Sequence, residues 1–158
     1  MNTRTHPDTE TLEVKARQRW MYALAHAKLS ELEVFEPALK AAAWQLIRPP
    51  ETGMAMLRGR MGATGASFNL GEMTVTRCVV RNHENRTGYS YIAGRGKKHA
   101  ELAALADAHL QGERQAFWLG EMIESLTAQR HARVSQQEKE AARTQVDFFT
   151  LARGENDA

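Results

Sequence analysis

Residues 87–108, TGYSYIAGRGKKHAELAALADA, constrain the fold of this chain more than any other segment. Within the first seven residues, Tyr89 and Tyr91 alternate with Ser90 and Ile92, which is typical of a β-strand. A Gly-Arg-Gly turn at residues 94–96 follows, and Lys97 and Lys98 then open an alanine-rich stretch with helical periodicity. Because a helix N-terminus has unpaired N–H groups and a partial positive charge, basic residues there predict an anion-binding geometry. The expected ligands are phosphate-like groups or acidic partners.

The whole chain predicts an α+β domain, with an antiparallel sheet of about four strands and helices on both sides of it in the sequence. Apolar residues at helical spacing predict a first helix over residues 11–28. A second helix is expected to start at a capping box of Ser30 and Glu33 and to restart at Pro37. A Pro-Pro-Glu-Thr-Gly sequence at residues 49–53 predicts a turn, and short connections favour an antiparallel meander. The expected strands are residues 44–48, 54–61, 72–81 and 87–93.

Three helical stretches are expected after residue 96, and the last of them is unusual. Residues 128–145 are polar on all sides, and a helix of that kind is usually a bridge or an arm. We therefore expect a flexible tail at residues 1–10 and a single domain over residues 11–158, ending in a docking arm at residues 128–158. The alternative is an ordinary last strand that covers the domain's own sheet. The residues expected to dock on a partner are Asp147, Phe148, Phe149, Leu151 and Arg153.

Charge and cysteine content limit the class of protein. The formal net charge is +2, but residues 51–100 carry eight Lys or Arg against three Asp or Glu, so the middle of the chain is basic. The one cysteine, Cys78, excludes an internal disulfide and gives too few thiolates for an iron–sulfur cluster. Cys78 lies in an apolar strand, which favours a buried, inert thiol. Without a secretory h-region or a run of ~18 apolar residues, the protein is expected in the cytoplasm and away from membranes.

Arginines and glycines of the predicted meander are the candidates for an anion or interface site. If the strands align the arginines on one face, that face suits phosphates or an acidic protein surface; otherwise it is a solvated basic face. The turn at residues 60–65 has glycines that let N–H groups approach an anion, but it lacks the Lys-Ser/Thr of a nucleotide P-loop, and a hairpin loop is its alternative. The candidate residues are Arg58, Arg60, Gly62, Gly65, Arg77, Arg81 and Arg95.

His99 and Glu101 are the candidates for acid–base chemistry, although the pattern does not favour it. Residues i and i+2 of a helix point apart, and a histidine at a helix start more often bonds to backbone than catalyses. The six histidines lack the spacing of a metal site, so no metal ligands are expected. Tyr89 and Tyr91 are of the type that stacks on RNA bases, but the RNP pattern is absent and the net charge is small, so nucleic acid is not expected.

Five segments, in their order and spacing, resemble the PhnG subunit of bacterial carbon–phosphorus lyase. They are residues 17–27, 51–65, 68–81, 88–108 and 146–156. In the fourth segment the family-like positions are Gly94, Arg95, His99, Ala100 and Glu101, whereas Gly96, Lys97 and Lys98 resemble variable positions. The other matching positions are Arg60, Gly62, Gly65 and Arg77.

That resemblance implies a cytoplasmic, heteromeric complex that breaks down phosphonates. Its first step displaces adenine from ATP with methylphosphonate and gives alpha-D-ribose 1-methylphosphonate 5-triphosphate. The resemblance assigns the nucleosidase activity to the PhnI subunit and the radical cleavage to a separate iron–sulfur subunit. It therefore implies a required, non-catalytic subunit without its own cofactor, with ATP as substrate of the complex and PhnI as first partner. The residues alone leave two alternatives open: a free-standing phosphate- or nucleic-acid-binding module, and a complete enzyme that uses His99 and Glu101.

Overall fold

The computed structural model describes residues 7–62 and 65–143, with side chains described from residue 12 onward. The elements are α1 (Pro7–His26), α2 (Leu29–Glu33), α3 (Glu36–Leu39), β1 (Trp44–Arg60), β2 (Ser67–Asn82), β3 (Thr87–Ala93), α4 (Lys97–Leu110), α5 (Gln115–Trp118), a π-helical segment (Leu119–Glu124) and α6 (Ser125–Arg143). The strands form one antiparallel sheet in the order β1-β2-β3. The predicted α+β class and antiparallel meander are confirmed, with three strands in place of about four.

The N-terminal helices follow local sequence signals. α1 begins earlier than predicted, with a proline as its first residue, where the missing N–H is not needed. The predicted capping box of Ser30 and Glu33 is wrong, because Glu31 reaches back to the free N–H of Lys28 and shifts the start of α2. Lys28 N donates to Glu31 Oε2 at 2.9 Å. α3 has Pro37 in its first turn, so the predicted restart of the helix is confirmed.

The first two predicted strands are one continuous strand, and the turn predicted at residues 49–53 is wrong. β1 is 17 residues long and lies at the edge of the sheet. Its register against β2 shifts between Arg48 and Glu51. Pro49 and Pro50 occupy this irregularity, and an edge strand tolerates them there because a bulge does not need every N–H in the ladder. The chain therefore continues straight where its composition indicated a turn.

α4 is the centre of the core. Its alanine-rich sequence lets other elements approach closely, and most of its residues are buried, including the predicted apolar face. β3 comes so near that a Cβ on Gly88 would lie 2.0 Å from the carbonyl oxygen of Ala104. On the same face of β3, Ser90 Oγ donates to the carbonyl oxygen of Ala100 at 2.6 Å. The predicted strand, turn and helix therefore pack back on one another as a unit.

The described chain ends in a helix that leaves the core. The π-helical segment continues directly into α6, so the second and third predicted C-terminal helices are one. Met122, Ile123 and Leu126 belong to the core, whereas residues 135–143 are all exposed, as expected for a helix that is polar on all sides. The docking residues expected within residues 147–153 lie outside the described residues, as does most of the predicted tail. Among the helices of residues 7–143 that are described, none has the length and apolar character needed to cross a membrane.

Candidate functional site

The turn before α4 is fixed to the sheet through its backbone. Gly94 has a φ of +90°, a conformation that glycine adopts without steric cost. Gly94 N donates to the carbonyl oxygen of Thr74 at 2.8 Å, and Thr76 Oγ1 donates to the carbonyl oxygen of Gly94 at 2.7 Å. The side chains of Arg95 and Lys97 are exposed. These two residues are therefore the cations that the turn presents to solvent.

Lys98 and Glu101 belong to a surface ion-pair network that ties α4 to the preceding helices. Lys98 Nζ lies 2.7 Å from Glu33 Oε1 and 3.0 Å from Glu36 Oε2. Lys40 Nζ lies 2.8 Å from Glu101 Oε1 and 3.0 Å from Glu36 Oε1. Hydrogen bonds from Lys98 and then Lys40 lower the pKa of Glu36. The hydrogen bond to Glu33 is the main cause that raises the pKa of Lys98, and the hydrogen bond to Glu101 is the main cause that raises the pKa of Lys40. The carboxylate of Glu101 thus faces a lysine rather than the histidine predicted as its acid–base partner.

Both histidines of α4 are buried and donate to backbone carbonyl groups. His99 Nε2 lies 2.8 Å from the carbonyl oxygen of Leu24 in α1, and His109 Nε2 lies 3.0 Å from that of Leu39 in α3. Because a carbonyl oxygen only accepts hydrogen bonds, each Nε2 carries the proton. Burial lowers the pKa of His109. His99 therefore links α4 to α1, the backbone-bonding role that its position favoured over catalysis.

Cys78 is a buried thiol with a structural environment. Its Sγ donates to the carbonyl oxygen of Arg48 at 3.4 Å. Burial raises the pKa of the Cys78 thiol to about 11, so the thiolate that nucleophilic chemistry requires is scarce at neutral pH. The burial of this thiol, predicted from the sequence, is confirmed, and its inertness stays a prediction. Within the described part of the chain, no three His, Cys, Asp or Glu side chains are grouped as metal ligands.

A buried carboxylate in α4 holds three elements together, and the sequence analysis missed it. The side chain of Asp107 is fully buried. Its Oδ2 accepts from Arg17 Nη2 at 2.6 Å, from the backbone N of Tyr89 at 2.9 Å and from Gln111 Nε2 at 3.2 Å. Its Oδ1 accepts from Trp20 Nε1 at 2.9 Å and from Arg17 Nε at 3.2 Å.

These donors explain how a charged group is tolerated inside a helix rich in alanine. A buried carboxylate is costly unless it is paired and fully hydrogen-bonded, and Asp107 satisfies both conditions. It connects α4 to α1 through Arg17 and Trp20, and to β3 through the N–H of Tyr89. The one signal available in the sequence was an aspartate among the apolar residues of this helix. The contacts give it a structural role.

The arginines of the sheet do not share one face. Register and strand alternation place Arg77 and Arg81 on the face that points away from α4. The same alternation places Arg58 and Arg60 on the opposite face of the sheet. Closer to the core, this is the face on which the side chain of Thr76 is buried. The five-arginine surface considered from the sequence is therefore divided, and a single continuous phosphate-binding face is excluded.

On the face away from α4, aromatic and basic side chains alternate across β2 and β3. Arg77 pairs with Tyr91 across the strands, and its Nε lies 2.7 Å from Glu51 Oε1. Tyr89 and Tyr91 are 42% and 60% exposed. Arg81 is exposed opposite Thr87. The arrangement offers stacking surfaces beside cations, with part of the positive charge neutralised by Glu51.

The predicted glycine turn lies at the end of the β1–β2 hairpin. Gly62 has a φ of +64°, and a Cβ on Gly65 would lie 2.0 Å from the carbonyl oxygen of Met61. Both positions therefore require glycine for reasons of backbone geometry. This supports the hairpin-loop interpretation over an anion-binding loop. The neighbouring side chain of Arg60 is exposed.

A groove lies between α1 and the helix formed by the π-helical segment and α6. Its volume is about 830 Å³. Arg130 in its wall donates from Nη2 to the Tyr22 hydroxyl at 2.6 Å. A groove of this composition suits an apolar group that carries negative charge. Apolar residues and a rim of cations line it, including Trp20, Leu119, Ile123, Lys15 and Arg19.

A family model described as "Phosphonate metabolism protein PhnG" matches residues 15–154 of the chain. The chain belongs to the PhnG family. It is also 38% identical over 144 residues to the "Alpha-D-ribose 1-methylphosphonate 5-triphosphate synthase subunit PhnG" of Rhizobium meliloti (strain 1021). That match covers 90% of this chain and 92% of the relative. The membership predicted from the five segments is therefore confirmed, and the chain is related to a protein of phosphonate metabolism.

The PhnG-like positions of the turn and α4 have different environments. Gly94 sets the backbone of the turn, His99 and Ala100 are buried, and Glu101 pairs with a lysine. Arg95 is exposed, and its side chain has no hydrogen bond or ion pair to any residue that the structure describes. Among these five positions, Arg95 is therefore the one that remains available to a ligand or a partner.

Proposed function

We propose that this chain is a required, non-catalytic subunit of the complex that makes alpha-D-ribose 1-methylphosphonate 5-triphosphate in phosphonate breakdown by carbon–phosphorus lyase. In this reaction methylphosphonate displaces adenine from ATP. Membership of the PhnG family, and the name of the Rhizobium meliloti relative that matches 90% of the chain, support the proposal. ATP is then a substrate of the complex, this chain holds no cofactor of its own, and the iron–sulfur cluster of the pathway lies on another subunit.

The observation that carries the non-catalytic role is the internal use of the side chains best suited to catalysis. His99 donates to a backbone carbonyl, Glu101 pairs with a lysine, and Asp107 is surrounded by donors. The Cys78 thiol has a pKa of about 11 because it is buried. General acid–base or nucleophilic catalysis needs a group that reaches substrate in a suitable protonation state. These four groups support structure instead.

The partners in this proposal are the other subunits of the complex, and PhnI is the first of them. The divided arginines and the exposed Arg95 support an interface role for Arg60, Arg77, Arg81 and Arg95 over a single phosphate site. The expected docking residues beyond α6 belong to the same proposal. The complex is placed in the cytoplasm, a reducing compartment that suits a chain whose one cysteine is a free thiol.

Adenine release from ATP and methylphosphonate tests the proposal. The pure chain should release none, the remaining subunits without it should release little, and adding the chain back should restore activity. Arg95→Ala should weaken the restoration through assembly, whereas Lys97→Ala, an adjacent exposed cation, is the matched control. Adenine release by the pure chain that a His99→Ala substitution abolishes would contradict the proposal. Full activity of the complex without the chain would contradict it equally.

A free-standing nucleic-acid-binding module is the second candidate, and one surface favours it. Tyr89 and Tyr91 are exposed beside Arg77 and Arg81, and aromatic side chains next to cations bind single-stranded nucleic acid by stacking. Binding of that kind weakens steeply with salt. Oligonucleotide affinity that falls with salt and is lost in Tyr91→Ala would support this candidate over the subunit proposal.

A further inference from the structure

The outer half of the β1–β2 hairpin extends beyond the rest of the sheet. Among the residues that the structure describes, β3 pairs with β2 only from Val75 to Arg81, so residues 67–74 of β2 have residues 54–60 of β1 as their one strand partner. The carbonyl oxygen of Thr74, at the inner end of this stretch, also accepts from Gly94 N. We call these two segments the distal ribbon. A two-stranded hairpin without further packing is only marginally stable in water. The distal ribbon therefore depends on something beyond its own hydrogen bonds.

Large apolar side chains project from both faces of the distal ribbon. Met54 and Met56 lie on one face and are 68% and 53% exposed. Leu57 alternates to the other face, where Phe68 also lies, since its ring is 3.4 Å from the position of a Cβ on Gly59. A surface strand of an antiparallel sheet normally has one apolar and one polar face. Apolar residues on both faces mean that one flat surface is not enough to cover this ribbon.

Charge near the end of the ribbon indicates the chemistry of its partner. Arg58 and Arg60 are exposed there, against one acidic residue of the ribbon, Glu72. In a symmetric contact between two copies, the same patch meets itself, so this excess of positive charge would be duplicated across the interface. Like charges in an interface are unfavourable. An acidic partner is favoured over a second copy of this chain.

We propose that the distal ribbon inserts into an apolar groove of another subunit, which closes over both faces and carries acidic residues opposite Arg58 and Arg60. The inference rests on the proposed role as a subunit and adds to it the contacting element and the chemistry of the partner. Met-rich surfaces adapt well to a partner, because the unbranched thioether side chain fills irregular space. Met54 and Met56 on one face, together with Leu57 and Phe68 on the other, are the expected centre of the interface.

Site-specific photocrosslinking in the assembled complex tests insertion directly. Met56→p-benzoylphenylalanine probes one face of the ribbon, and Leu57→p-benzoylphenylalanine probes the other. Both positions should crosslink to the same subunit, and the exposed Val34, between α2 and α3, is the control position that should not. A crosslink from one face only would overturn enclosure of the ribbon. Crosslinks between copies of this chain would overturn it in favour of self-association.

Charge substitutions then measure the interface by co-purification with the other subunits. Met56→Glu should reduce recovery of the partner by about tenfold or more, as expected for a central interface residue, whereas Val34→Glu should change it by less than about twofold. Arg58→Glu combined with Arg60→Glu should also reduce recovery. Unchanged recovery in that pair would overturn the acidic character of the groove. If wild-type chain joins no subunit, the proposed function fails as well; if wild type joins but ribbon variants join equally, the ribbon inference alone fails.

Discussion

Asp107→Asn tests whether the buried carboxylate of α4 holds the domain together. The substitution keeps the size of the side chain and removes one acceptor oxygen together with the charge. Every group that contacts Asp107 is a donor: the guanidinium of Arg17, the indole N–H of Trp20, the backbone N–H of Tyr89 and the amide of Gln111. An asparagine amide group would therefore point its own N–H toward other donors.

The magnitude follows from which donors lose their acceptor. Trp20 Nε1 contacts Oδ1 and Tyr89 N contacts Oδ2, each at 2.9 Å, so one oxygen cannot accept both in their present positions. A hydrogen bond to a charged group contributes ~1.5–3 kcal/mol, and a buried donor without an acceptor costs ~1–3 kcal/mol. The side chain of Arg17 is 34% exposed and regains water, which reduces the loss. We expect the free energy of unfolding to fall by about 2–4 kcal/mol.

Urea unfolding of the purified chain at pH 7 measures this loss. The free energy of unfolding should decrease with little change in its dependence on urea, and a loss of about 3 kcal/mol should lower the melting temperature by roughly 6–12 °C. Glu13→Gln on the exposed face of α1 makes the same carboxylate-to-amide change and should stay within about 0.5 kcal/mol of wild type. If Asp107→Asn is no more destabilising than Glu13→Gln, the carboxylate does not hold α1 and β3 to α4.

Four further outcomes are expected. Gly88→Ala should lower the free energy of unfolding by about 1–3 kcal/mol, because the added Cβ would lie 2.0 Å from the backbone of α4. Gly53→Ala, which has open space around it, should lower it less, and urea unfolding of the two variants measures the difference. The Cys78 thiol should resist alkylation at pH 8 until the chain unfolds. Since its folded pKa of about 11 exceeds the ordinary thiol pKa of 9.0, the folded state should lose stability as pH rises between these values. Burial lowers the pKa of His109, so the neutral histidine stabilises the fold above the unfolded pKa of 6.5, and this stability should fall as pH drops below 6.5. The melting temperature should therefore be lower at pH 5.5 than at pH 7.5, and His109→Gln should reduce this difference between the two pH values. Truncation before Val146 should leave the melting temperature nearly unchanged and reduce recovery of partner subunits; a large drop in melting temperature would assign the segment to the domain's own core.

The parts of the fold that were predicted correctly depend on short stretches of sequence. The strand, turn and helix over residues 87–108 are specified by alternation, glycine and alanine within one continuous segment. The restart of the helix at Pro37 follows from the geometry of proline itself. The strand count was wrong because two prolines normally end a strand, and they are tolerated here by the edge position of β1. Edge position depends on the whole sheet, so a local pattern does not contain it.

The candidate site was harder to predict because its contacts are distant in sequence. Asp107 and Arg17 are 90 positions apart, and no spacing rule joins them. His99 was recognised as a helix-start histidine, but its acceptor, Leu24, became known only when α1 was seen to pack on α4. The possibility that the arginines share one face of the sheet was not met for a related reason. A face of a sheet depends on register, and Arg58 and Arg77 differ in face although both belong to alternating segments.

The distribution of side chains in this domain supports the proposed role as a subunit over that of a self-sufficient enzyme. One carboxylate and two imidazole groups are used inside the core, where Asp107, His99 and His109 each connect α4 to another element. Its methionines and leucines on the distal ribbon are left outside, where exposure to water is unfavourable. A protein that buries these groups on assembly is stabilised by its partner through mass action. The melting temperature of this chain should therefore rise with the concentration of the subunit that receives the ribbon, and Met56→Glu should remove that dependence while leaving the melting temperature of the isolated chain nearly unchanged.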